Sequence, residues 1–64
     1  MNSMQSDTSK RIEGITPNGG VYSVIYFRDS EGKPCDEANA TACEIVEYDA
    51  ANNPIYRTYG CISH

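Results

Sequence analysis

A chain of 64 residues with a formal net charge of −4 holds one small domain at most. Its basic residues, Lys10, Arg11, Arg28, Lys33 and Arg57, are too few and too scattered along the chain to suggest the phosphate-neutralising patch that a nucleic-acid binder needs. No apolar run approaches the ~18 residues of a membrane span, and the N-terminus has no apolar stretch of the signal-peptide kind.

The chain therefore reads as cytoplasmic, with neither a nucleic-acid nor a membrane partner. The sequon Asn39-Ala40-Thr41 then has no consequence, and the odd number of cysteines argues against a disulfide framework. A domain this short buries only about 60 % of the surface its unfolded chain exposes, so its stability is marginal without help from a partner or a staple.

In chain order, residues 1–10 (MNSMQSDTSK) are polar without an apolar period and read as a disordered tail. Residues 11–60 form a single small β domain. Within it RIEGIT (11–16) is a weak strand candidate, because Ile12 and Ile15 fall on opposite faces and Gly14 weakens the run. Pro17-Asn18-Gly19-Gly20 has the chemistry of a hairpin turn. Val21 to Arg28 is the strongest strand by β-branched and aromatic content. Asp29-Ser30-Glu31-Gly32 closes it as a type I turn with glycine free to enter the left-handed region.

Lys33-Pro34-Cys35 starts the return, with proline confining it to a loop or an edge. Asp36 can cap one helical turn over 36–40. Thr41 to Tyr48 is a second confident strand, residues 49–54 its turn, and Ile55 to Tyr59 a third strand ended by Gly60. Residues 61–64 form a C-terminal tail. Strands joined by such short turns must be antiparallel neighbours. The fold class expected is mainly β: a meander of three or four antiparallel strands with at most one short helical turn.

Alternation places Val21, Ser23, Ile25 and Phe27 on one face and Tyr22, Val24, Tyr26 and Arg28 on the other. The Val/Ile/Phe face reads as the core, with Ile25, Phe27 and Ile45 expected to be the least accessible side chains. A single sheet cannot roof both sides with so little chain. The second side, carrying Tyr22, Val24, Tyr26, Tyr48 and Tyr56, reads as a contact patch for another protein or a second copy, since tyrosine adds interface area at little entropic cost. An unpaired outer strand is the alternative contact.

Few constellations point to chemistry. Cys35, Cys43, Cys61 and His64 supply the four ligands of a zinc staple, but only Cys61-x2-His64 has ligand-pair spacing. Asp49-x-Ala51-x-Asn53 lacks the glycine and the closing glutamate of a calcium loop. No carboxylate pair and no Cys-His pair has an evident orienting partner. The chain is expected to be non-catalytic and without a cofactor: a small acidic protein-binding module, a regulator or an inhibitor.

In size and charge it resembles small acidic proteins encoded by phages and mobile elements, anti-CRISPR and DNA-mimic proteins among them, a likeness that carries no residues across. A self-associating structural protein and a zinc-stapled mini-domain complete the alternatives.

Overall fold

The computed structural model describes residues 8–63. Four strands, β1 (Ser9–Glu13), β2 (Tyr22–Arg28), β3 (Ala42–Tyr48) and β4 (Pro54–Cys61), form one antiparallel meander in the order β1-β2-β3-β4. No helix is long and apolar enough to cross a membrane. The expected helical turn is a 3-10 turn over Glu37–Asn39, with the Asp36 side chain accepting from the Asn39 backbone N–H.

Several boundaries differ from the sequence reading: Val21 and Thr41 fall just before β2 and β3, and Pro54 opens β4 instead of closing the turn before it. The first strand begins at Ser9, so Ser9 and Lys10 belong to the sheet and not to the tail, while Ile15 and Thr16 lie beyond it. Cys61 closes β4 instead of opening a tail, and the next residue, Ile62, donates its backbone N–H to the Thr41 carbonyl at 3.0 Å. Thr8, also in the expected tail, accepts the Phe27 backbone N–H at 2.9 Å, and residues 1–7 and His64 lie outside the described residues.

Two hairpin turns share one design. The Asp29 carboxylate accepts from the backbone N–H groups of Glu31 and Lys33 at 2.8 and 3.0 Å, and Asp49 accepts from Ala51 and Asn53, both at 2.9 Å. Such side-chain acceptors mimic a backbone turn, which is why aspartate starts both. The N–H donors hold the Asp29 carboxyl below the usual carboxylate range, Lys33 first. The fourth position is left-handed in each, occupied by Gly32 (φ 81°) and by Asn52 (φ 66°).

The β1–β2 connection folds back onto the sheet instead of standing clear of it. Gly20 passes so close to β3 that a Cβ there would sit 2.6 Å from the Tyr48 carbonyl oxygen, so no larger residue fits. Its backbone N–H donates to the Thr16 hydroxyl oxygen at 2.6 Å. Glu47, only 5 % exposed, accepts from the Asn18 backbone N–H at 3.1 Å and from Asn18 Nδ2 at 2.7 Å. Hydrogen bonds from Thr16 and then Asn18 hold its carboxyl below the ordinary range, against the opposing effect of burial.

The core divides between the two faces. Phe27, 5 % exposed, is buried as expected beside the segment that carries Ala40, whose neighbour Thr41 donates its N–H to the Arg28 carbonyl. Ile25 and Ile45 are only half-buried, and Val21 is exposed. Val46, on the face expected to be wet, is the most buried strand residue at 2 %, and Tyr22 is buried as well. The cause lies in the neighbours the register gives Val46: it stands between Val24 and Arg57 on a face of long side chains, whose apolar stems and rings shelter a short residue.

Candidate functional site

Register decides which side chains share a face. Tyr22 stands opposite Glu13 and Tyr48, Val24 opposite Arg11 and Val46, and Tyr26 opposite Ser9 and Glu44. On the other side of β3, Val46 faces Arg57, Glu44 faces Tyr59 and Ala42 faces Cys61. The fold thus collects all three arginines, 11, 28 and 57, and four of the five tyrosines, 22, 26, 48 and 59, on one face. Those residues are scattered over nearly fifty positions of sequence, which is why the chain shows no basic patch when read linearly.

The face is built from interlocking contacts. Tyr22 and Tyr48 stack with centroids 5.0 Å apart and planes 11° from parallel. The Arg11 guanidinium lies 3.9 Å from the Tyr22 ring centroid and pairs with Glu13. That hydrogen bond with Glu13 raises the Arg11 pKa further above its ordinary value. The Tyr22 hydroxyl donates to the Asn52 side-chain oxygen at 2.9 Å, tying the 49–53 turn to the stack.

The Tyr26 and Tyr48 hydroxyls meet at 3.1 Å. That bond first, then burial, raises the Tyr48 hydroxyl above the usual phenol range. Glu44 bridges Arg57 at 2.6 Å and Arg28 at 3.5 Å. Three arginines against Glu13 and Glu44 leave the face at +1 in a chain of −4. At its Arg28 end a hollow of about 400 Å³ opens between the 29–32 turn, Thr41, Glu44 and Tyr59.

Of the expected contact residues, Tyr22, Val24, Tyr26 and Tyr48 do come together, but Tyr22 is buried and the others are half-buried, so they form the floor of the face. Tyr56 does not join them. It stands opposite Glu47, on the Ile25 side of the sheet. The reason is an irregularity between Glu47 and Tyr48. The turn sets Tyr48 against Pro54, a register that would carry Tyr56 to Val46, and the one-residue shift brings Arg57 there instead. Tyr59, 71 % exposed, takes the place expected for Tyr56, and Arg11 and Arg57 form the rest of the accessible rim. Strand alternation alone pairs Arg57 with Tyr59; only the register across the turn assigns that pair to the Tyr22 side.

The remaining candidates stay apart from this face or lack partners for chemistry. Among the described residues no group of three or more His, Cys, Asp or Glu is arranged to hold a metal, and Cys35, Cys43 and Cys61 are free thiols. Partial burial, with Asp29 and Asp36 nearby, pushes the Cys35 thiol up, the opposite of what a nucleophile or a thiolate ligand requires. No protein-family model, no curated protein and no solved structure matches the chain.

Proposed function

We propose that the chain is a small, non-catalytic protein-binding module of the cytoplasm, and that the Tyr/Arg face is its docking surface. One observation carries this reading: every arginine and four of the five tyrosines converge on a single face. Those two residue types, with tryptophan, are the ones enriched where binding energy concentrates. The face is also preorganised, since the Tyr22–Tyr48 stack and the Arg28–Glu44–Arg57 bridge fix side chains that would otherwise lose rotamer freedom on binding. Three free thiols suit a reducing compartment.

The partner that fits is a protein surface offering carboxylates to Arg11 and Arg57 and an apolar anchor beside Tyr59 for the 400 Å³ hollow. A DNA mimic would need a dense acidic array. Here the carboxylates of the face are paired with arginines, which speaks for the regulator reading over the mimic. The test is affinity capture from the source organism, followed by titration of the captured protein against variants. Tyr59→Ala and Arg57→Ala should each weaken binding roughly tenfold or more, about 1.4 kcal/mol. Tyr56→Ala, on the opposite face, should change it little. The reverse pattern would refute the assignment of the surface.

A further inference from the structure

The edge of β4 carries an inference that does not depend on the docking reading. Among the described residues β4 has a strand neighbour on one side only, and all eight of its residues are exposed. Because Ile62 donates to Thr41 in register, Gly60, Thr58 and Tyr56 turn their backbone groups toward β3. Alternation then points the N–H and C=O groups of Arg57, Tyr59 and Cys61 away from the sheet.

The other edge is defended. β1 is five residues long and three of them, Lys10, Arg11 and Glu13, are charged. β4 is longer, with one charge, Arg57, and a proline only at its first position. An edge of this kind is a template for another strand.

We propose that β4 pairs with β4 of a second copy, antiparallel, about a two-fold axis through Thr58. Three observations favour a copy of this chain over an arbitrary strand. In this register Arg57 lies opposite the partner's Tyr59, and Tyr59 opposite the partner's Arg57, so each guanidinium meets an aromatic ring on the same face. On the other face Thr58 meets the partner's Thr58, a favourable cross-strand pair. Tyr56 meets the partner's Gly60, where an aromatic ring covers a position without a side chain. Moving the axis to Arg57 would set two arginines against each other, and moving it to Tyr59 would set each Arg57 against the partner's Cys61 and lose both guanidinium–ring pairs.

The axis stands perpendicular to the sheet, so the two Tyr/Arg faces lie on the same side and join into one surface. A closed pair of this symmetry also consumes both β4 edges and leaves only the charged β1 edges outward.

Sedimentation equilibrium on the full chain should show a concentration-dependent dimer. Tyr59→Pro should abolish it while leaving the far-UV circular dichroism unchanged, because the N–H removed points away from β3. Register is tested independently. In a background with Cys35, Cys43 and Cys61 replaced by serine, Thr58→Cys should cross-link to a covalent dimer on oxidation, since directly opposed, non-hydrogen-bonded positions have disulfide spacing. Arg57→Cys should not cross-link. A wild-type monomer up to about 1 mM, beyond which edge contacts are too weak to matter, would overturn the proposal. So would a dimer that survives Tyr59→Pro, an open ladder of oligomers, or failure of Thr58→Cys to cross-link. Failure of the wild-type chain to capture any partner, with the dimer intact, would count against the docking face alone.

Discussion

The two faces of this sheet solve the same problem by different means. On the Tyr/Arg face, side chains of the sheet cover the sheet: Arg11 lies over Tyr22, Tyr22 stacks on Tyr48, and the valine pair Val24–Val46 sits between rows of tyrosine and arginine. On the opposite face the Thr16–Gly20 segment folds back onto Glu47 at one end, and the Cys35–Thr41 segment is tied by backbone bonds to Phe27 and Arg28 at the other. Between those loops Ile25 and Ile45 remain half-buried, and Ile12 and Tyr56 at the two edges are exposed. A one-layer sheet can therefore have its driest strand position on its more polar face, where the apolar stems and rings of long side chains flank a short residue.

The comparison is broken most severely at Phe27. Phe27→Ala removes the most buried large apolar side chain of the Ile25 face and should cost about 3–5 kcal/mol, enough to unfold a domain of this size. Thermal and urea denaturation followed by circular dichroism measure it. Val46→Ala tests the other side: losing two buried methyl groups there should cost about 2 kcal/mol. Ile25→Ala removes a larger group from a half-buried site and should cost no more than Val46→Ala. The order of these two midpoints decides which face packs better.

Much of the fold is legible in the residues, and the exceptions share a cause. The 21–28 and 41–48 segments carry enough β-branched and aromatic residues to identify strands β2 and β3. Asp29, Asp49 and Asp36 announce two turns and a cap because their side chains bond locally. Strand β1 (Ser-Lys-Arg-Ile-Glu) has no such pattern. It becomes a strand because Arg11 and Glu13 find Val24 and Tyr22 opposite them, a tertiary reason. The face of β4 depends on a one-residue irregularity after a turn, and a shift of one residue moves every side chain to the other side. Local propensity therefore found the tyrosine patch at Tyr22, Val24, Tyr26 and Tyr48, but it supplied Tyr56 where the fold supplies Tyr59 and Arg57.

A subtler test concerns Glu47, the acid buried on the loop-covered face. Its pKa is depressed by the Thr16 and Asn18 donors, so the unfolded chain binds a proton more readily than the folded one. The stability Glu47 contributes is therefore fully present above the unfolded carboxylate pKa, about 4.3, and is lost as pH falls through the lower folded value. Glu47→Gln should lower the melting temperature at pH 7, and the gap from wild type should close as both proteins are melted at progressively more acid pH. Asp29, also depressed, titrates in both proteins and cancels from the difference.

The smallest effect sharpens the contrast between the twin turns. Gly32 enters the left-handed region at no steric cost, whereas Asn52 does so at φ 66° and uses its side chain to accept from the Tyr22 hydroxyl at 2.9 Å. The second turn thus gives up backbone ease to anchor the aromatic stack. Tyr22→Phe should cost about 1 kcal/mol in the wild-type chain, the net worth of one such hydrogen bond. In an Asn52→Gly background the same change should cost close to nothing, because the acceptor is already gone. A coupling of about 0.5–1 kcal/mol from this double-mutant cycle would show that asparagine is there for its contact. Additive losses would mean that it is there only for its tolerance of the left-handed backbone, which glycine supplies equally well at position 32.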